Sequence, residues 1–367
     1  MTDGSSFLTT RFLEMFHQTK KQKQFECISI LLTNGFNAVD VTIVERFSDK
    51  VMEVNTYLMQ QMPFLLVIPF CSQNAIGRLQ LERVLVRRIQ ILKTTLINLL
   101  NMNFEGRQQY VADHGDELLH NMLLHIGFPE NELGDQLNYR LFIELLSQNQ
   151  FTVEQMNNTA KTLVEKDYLY SSIHEKESDH VFTRSFSALW LTGLLHADRQ
   201  LHFLNEEEAL AILNASASYL SREMDVRGFV GEKGWALAIA HGADLATAIV
   251  SHPAFEIRLS PILLQGIKDS FWKGSVFTND EDERFVAIVE QLLNQDFPEE
   301  VLIEWIEQVF DKLQFYVLEV GYTPLYFAAR TNTLNFMKTL YFTLKFSKKA
   351  PEVMGIVSLM LGKWMRQ

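Results

Sequence analysis

Asn205-Glu206-Glu207-Glu208-Ala209-Leu210-Ala211-Ile212-Leu213 decides the fold class of this chain. Asn205 can accept a hydrogen bond from the backbone of Glu208, and the Glu208 side chain can reach back, which is a capping box. Three glutamates in the first turn complement the positive end of the helix dipole. The apolar residues that follow recur at three- and four-residue spacing, the period of a half-buried helix.

The same signals repeat outward in both directions. Thr152 with Gln155 reads as a second capping box. Ser260-Pro261 and Thr323-Pro324 each place a cap before proline at the first helical position. Asn279 before Asp280-Glu281-Asp282-Glu283 reads as an acidic first turn rather than a calcium loop, because the alternating oxygen ligands and central glycine of an EF-hand are missing. The pattern predicts helices over 79–104, ended by Gly106, and over 113–126, 131–147, 152–167, 181–200, 206–221, 234–250, 260–272, 280–294, 298–315, 324–346 and 352–365. Their pairs are spaced about 40–47 residues apart, as in HEAT and armadillo arrays. The expectation is an all-α chain of stacked helix pairs, an α-solenoid, with a compact bundle as the alternative.

Upstream the reading is different. Residues 12–34 and 39–61 are expected to be helices, with Asn34-Gly35 as a stop and Asp40 as a cap. The run Pro63-Phe64-Leu65-Leu66-Val67-Ile68-Pro69-Phe70 is the one strand candidate. Residues 1–78 are therefore expected to be an N-terminal unit of its own, helical or α/β, and 79–367 the helical-repeat domain.

Composition excludes several classes. The chain has 367 residues, with 17 Gly and 8 Pro, which argues against disordered and loop-rich β architectures. Two cysteines, Cys27 and Cys71, leave no disulfide framework or Cys-rich zinc site. No secretory signal is evident, and no uninterrupted apolar run comes near the length that spans a bilayer. A cytoplasmic location without membrane insertion is expected. The net charge of −12 is unevenly spread. Residues 1–110 carry a net +3, residues 330–367 a net +6, and residues 111–329 a net −21. An acidic body repels phosphate backbones, so nucleic acid is not expected as a partner. The interleaved basic and aromatic residues of Lys338–Lys349 are read as a helix with Phe and Tyr on its core face.

Three stretches could carry chemistry. In the helix expected over 234–250, Leu237, His241, Asp244 and Ala248 share a face, so His241 and Asp244 can meet. A carboxylate beside an imidazole orients the ring and raises its basicity, as a general base needs. Arg184 lies on an otherwise apolar helix and must pair if buried, with Asp225, Asp244 or a ligand anion. Arg227-Gly228 reads as a turn. Glu232 and Trp235 stand close to His241 in sequence and complete a candidate groove. A buried structural His–Asp pair and a structural Arg pair are the competing readings. No phosphate-binding glycine loop, nucleophile elbow or metal-spaced histidine set is present, so no cofactor or metal is expected.

Val181-Phe182-Thr183-Arg184-Ser185-Phe186-Ser187-Ala188-Leu189, Asp225-Val226-Arg227-Gly228-Phe229, and Gly234-Trp235 through Ala240-His241-Gly242-Ala243-Asp244 resemble an uncharacterised bacterial family, a domain of unknown function found mainly in Gram-positive organisms. Val276-Phe277 with Asp280-Glu281-Asp282-Glu283-Arg284 adds to it. The resemblance runs from about His120 to Val309 and implies an all-helical domain without an established activity. In that pattern the position of Leu237 is often His, so this chain departs from a His-x-x-x-His-x-x-Asp face. Gln24–Phe36 and Met62–Phe70 resemble a second bacterial family of unknown function, which implies an accessory module. The leading expectation is an interaction scaffold that binds an unknown protein partner or a small anionic ligand. The rival is a hydrolase or transferase acting on a small anionic substrate, with His241 as base, Asp244 as orienter and Arg184 as anion clamp. An acidic mimic of nucleic acid ranks last.

Overall fold

The computed structural model describes residues 25–31, 40–46 and 66–68 and, from 75 to 366, every residue except 166. The chain forms two compact units, Met1–Ile91 and Leu92–Gln367.

The N-terminal unit contains a three-stranded antiparallel sheet in the order β2-β1-β3: β1 (Phe25–Leu31), β2 (Asp40–Arg46) and β3 (Leu66–Ile68). Cys27 pairs with Val44 and Ile28 with both Ile43 and Ile68. This corrects the expected helices over 12–34 and 39–61. Ile28 and Ile30, and the run Val41-Thr42-Ile43-Val44, are β-branched, and such side chains fit a pleated strand better than a helix. Asp40 opens β2 instead of capping a helix. The strand expected near Phe64–Ile68 is present as β3, and β1 is its partner. Asn34-Gly35 lies outside the described residues.

Thereafter the described chain is helical, apart from a single bridge between Phe229 and Trp235. The helices are α1 (Ala75–Asn101), α2 (Phe104–Leu124), a π-helical segment (Glu132–Tyr139) running into α3 (Arg140–Ser147), and α4 (Val153–Leu163). Then come α5 (His180–Leu201), α6 (Glu206–Ser216), the single turn α7 (Tyr219–Arg222), α8 (Ala238–Ser251) and α9 (Ser260–Ser270). The last four are α10 (Glu281–Asn294), α11 (Glu299–Val320), α12 (Pro324–Ser347) and α13 (Pro351–Trp364). None of the described helices is long and apolar enough to cross a membrane.

Local sequence accounts for most of these boundaries. Both capping boxes form, at Thr152–Gln155 and Asn205–Glu208. Thr323 caps α12 ahead of Pro324. Gly106, read as a helix stop, instead lies in the first turn of α2, where its N–H donates to Asn103 Oδ1 at 3.0 Å. The N-terminus of α13 has no local cap, since its preceding residue Ala350 is left-handed (φ 45°). Glu299, at the start of α11, supplies the cap from afar: its Oε2 accepts from the N–H groups of Glu352 and Val353 at 3.0 and 3.1 Å.

Packing links helices that are not consecutive in the chain. α5 lies against α8, α8 against α10, and α10 against α12. To the flank of this row, α4 packs on α5, α7 on α9, and α11 on both α12 and α13. Large rings fill the seams. Trp190 of α5 stacks on Phe142 of α3 with centroids 3.8 Å apart. Phe271 meets Phe285 of α10 and Phe336 of α12, and Trp305 of α11 meets Phe336 edge-on while donating its N–H to Leu264 O.

The core stripe of α12 runs through Thr333, Phe336, Met337, Leu340 and Leu344. Two residues on from Leu340 and Leu344, at about 200° around the helix, Phe342 and Phe346 face away from it. They are exposed, which corrects the expectation that the aromatic residues of Lys338–Lys349 face the core.

Candidate functional site

Arg184 stands in the first two turns of α5 with no exposure to water. Its Nε and Nη2 donate to Glu223 Oε2 and Oε1 at 2.7 and 2.8 Å, and Nη1 donates to Ser171 O at 2.8 Å. Burial alone would lower the Arg184 pKa, but the Glu223 carboxylate more than offsets this and leaves it raised. Glu223 is equally enclosed. It also accepts from the Tyr219 hydroxyl at 3.1 Å and from the N–H groups of Met224 and Asp225. Lys273 Nζ donates to Leu220 O and Glu223 O, and burial lowers its pKa to about 8 against the pull of Glu223. A fully paired, fully hydrogen-bonded arrangement is what makes such buried charges tolerable.

A second clip adjoins the first. Asp225, buried, accepts from Arg227 Nε and Nη2 and from the N–H of Glu177 at 3.1 Å. Arg227 Nη2 also donates to Ser178 O at 2.7 Å. These bonds fasten the segment before α5 to the chain leading out of α7.

From there the chain makes a short hairpin over 228–236. Ala236 N donates to Gly228 O, and Val230 N donates to Gly234 O, each at 2.8 Å. Gly234 turns the tip with φ +87°, a conformation that L side chains rarely adopt, and a Cβ there would lie 2.7 Å from Asn131. Lys233 at the tip is paired with Asp179 at 2.7 Å. Phe229 and Trp235 project from the two arms of the hairpin as an edge-to-face pair 5.0 Å apart, 59% and 42% exposed. Glu232 is exposed at the tip.

The hairpin delays the following helix. α8 starts at Ala238, with Leu237 before it in a left-handed conformation, φ 52°. The expected helix over 234–250 is shortened accordingly, and Leu237 does not share a helical face with His241.

His241 is buried, and its Nδ1 lies 2.7 Å from Ser185 Oγ. Ser185 Oγ also contacts Ala236 O, which can only accept. The single hydroxyl proton therefore goes to the carbonyl, and His241 Nδ1 is the protonated nitrogen that donates to Ser185. Burial, reinforced by the Arg284 charge, lowers the His241 pKa to about 3. Asp244 is ion-paired with Arg284 of α10. Burial raises its pKa, with Arg284 opposing. Tyr139 is pushed up to about 12 by burial and by the charge of Asp244.

The expected His241–Asp244 pair is thus replaced by two separate contacts, His241 with Ser185 and Asp244 with Arg284. Arg184 takes neither Asp225 nor Asp244 but Glu223. Of the six residues singled out, Arg184 and His241 are buried, Asp244 and Arg227 are half-buried in ion pairs, and Glu232 and Trp235 are exposed. A buried His–carboxylate pair does exist elsewhere: His252 Nε2 lies 2.9 Å from Asp198 Oδ2. His252 Nδ1 accepts from Ala254 N, which places the ring proton on Nε2, and Asp198 Oδ1 accepts from Leu204 N. Ser185, Glu223, Arg284, Asp198 and His252 were all missed by sequence reasoning. Each partner lies 39 to 56 residues from its mate, beyond any helical spacing.

Among the described residues no group of three or more His, Cys, Asp or Glu side chains is placed to hold a metal ion. Chemically the arrangement is a set of buried clips that fix a hairpin and its aromatic pair.

No curated protein and no solved structure matches this chain. A family model described as "Protein of unknown function (DUF2785)" matches residues 169–342. That span contains all four stretches that carried the resemblance; it begins later than the expected His120 and ends later than Val309. The chain therefore carries, over residues 169–342, a DUF2785 domain, a family of unknown function.

Proposed function

We propose that this chain is an intracellular, cytoplasmic interaction scaffold built as a HEAT-like stack of helix pairs, and that the 228–236 hairpin is its docking element. The stacking reading draws support from the row α5-α8-α10-α12, in which each member packs on the next while the intervening helices lie to the flank. The docking reading is carried by one observation: Phe229 and Trp235 stand exposed as an edge-to-face pair on a loop anchored by the buried Arg184–Glu223 pair and the half-buried Arg227–Asp225 pair. Aromatic anchors on a preorganised loop bind with little loss of conformational freedom. The occupant is a protein with an apolar pocket for the two rings, and Glu232 and Arg227 stand at its polar rim.

Hydrolase or transferase chemistry on a small anion would need Arg184 available and His241 basic near neutrality. Arg184 is committed at three nitrogens, and burial, reinforced by the Arg284 charge, holds the His241 pKa far below neutrality at about 3.

The test is a photo-crosslinking residue placed at Phe229 in cells that make the protein, with one at exposed Val153 as control. The expected result is a discrete adduct from position 229 that position 153 does not give and that Trp235→Ser abolishes. Equal adducts from both positions, or none, would end the docking reading.

A further inference from the structure

We propose that the C-terminal half of α12 seats the protein peripherally on an anionic lipid surface. Phe342 and Phe346, four residues apart, lie on the face of α12 turned away from its core stripe and are 50% and 78% exposed. Their rings stack with centroids 6.2 Å apart, and Phe342 meets Tyr341 at 5.3 Å, so the apolar surface is continuous. Lysines surround it. Lys338 and Lys345 share the same helical face, Lys345 reaches over the Tyr341 ring, and Lys348 and Lys349 follow at the helix end. Over residues 330–367 seven Lys or Arg stand against one acid, Glu352.

Exposed Phe ringed by lysine is the pattern of an interfacial helix. The rings enter the boundary between headgroups and acyl chains, and the ammonium groups stay with the anionic headgroups. The local distribution of charge sets the orientation. An anionic surface attracts the lysines around Phe342 and Phe346 and repels the acidic residues of the neighbouring helices, Asp282 beside Thr339 among them, so contact is made through the exposed face of α12. The same asymmetry argues against a nucleic-acid strand, which would have to continue along the acidic helices. The cations of the patch are all lysines, compact point charges, and it has no planar guanidinium to stack on bases. The contact is peripheral, since no described helix is long and apolar enough to cross a membrane.

The experiment is co-sedimentation of the full chain with phosphatidylcholine vesicles and with mixed phosphatidylcholine and phosphatidylglycerol vesicles. The expected result is binding to the mixed vesicles only, weakened by added salt. Phe342→Ser with Phe346→Ser should lower the partition coefficient by about tenfold or more. Lys345→Gln with Lys348→Gln should lower it by about fivefold for each charge removed. All four side chains are exposed, so thermal unfolding should stay unchanged, and that measurement separates lost docking from lost fold. Failure to bind mixed vesicles, or binding that neither pair of substitutions weakens, would overturn the proposal. So would tight binding of polyuridylate in place of vesicles, which would assign the face to nucleic acid.

Discussion

Arg184 and Glu223 form a two-pronged ion pair in which neither side chain touches water. It joins the first half of α5 to the chain leaving α7, and the exposed hairpin begins five residues after Glu223. Removing one partner leaves an uncompensated buried charge. Arg184→Met or Glu223→Gln should each cost about 3–5 kcal/mol in chemical denaturation. Arg184→Lys should fall in the same direction, because an ammonium cannot reproduce the planar fork. The double replacement Arg184→Met with Glu223→Leu should cost much less than the sum of the two single changes. Strict additivity would contradict the pairing.

His241 makes acid stability a readout of its burial. In the unfolded chain it takes up a proton near its ordinary value of 6.5, whereas in the fold it does so only at about 3. Between those values the unfolded state binds the extra proton. Stability attributable to this residue is therefore complete above pH 6.5 and falls by about 1.4 kcal/mol per unit as pH drops toward 3. His241→Asn keeps a nitrogen donor for Ser185 but does not titrate, so its unfolding free energy should decline less steeply over that window. An imidazole that titrates near 6.5 by proton NMR would place the ring in water instead.

Glycines of opposite surroundings should respond in opposite ways. A Cβ on Gly127 would sit 2.3 Å from Thr183 N and 2.4 Å from Thr183 Cα, backbone atoms at the start of α5. Backbone yields less than a side-chain tip, so Gly127→Ala should exceed the ordinary overpacking cost of about 1–3 kcal/mol. Gly355 and Gly362 of α13 face open space. Alanine at either should stabilise the helix by about 0.5–1 kcal/mol and raise the thermal midpoint.

Asp198 holds two donors at once, His252 Nε2 and the backbone N–H of Leu204. Asp198→Ala leaves both buried without an acceptor, at about 1–3 kcal/mol for each orphan. Asp198→Asn retains one oxygen and should lose less. Urea midpoints of the two variants give the comparison directly.

Helices were legible where a capping box opened them, whereas Ser260, expected to cap before Pro261, lies inside α9, which has no side-chain cap. Thr152 with Gln155 and Asn205 with Glu208 close their boxes as their spacing predicts. Three kinds of feature escaped. Val41-Thr42-Ile43-Val44 falls within an expected helix, yet its β-branched run forms a strand. The late start of α8 follows from a bridge between Phe229 and Trp235, a contact that helical periodicity over 234–250 hides. The partners of Arg184, His241 and Asp244 come from distant segments, the chain leaving α7, α5 and α10, so no residue spacing could name Glu223, Ser185 or Arg284. Of the residues singled out, Arg184, Arg227, His241 and Asp244 are held in internal contacts, and Glu232 and Trp235 are exposed.

The distant cap at Glu299 bears on the order in which the last helices form. Ala350 offers α13 no side-chain oxygen, so the first-turn amides of Glu352 and Val353 are satisfied only when the start of α11 is already in place beside them. A short helix that lacks its own cap nucleates poorly by itself. α13 is thus a late-closing element, fastened by a residue more than fifty positions earlier. Hydrogen exchange at those two amides should follow the opening of the α11–α13 contact as a unit rather than the fraying of a free chain end.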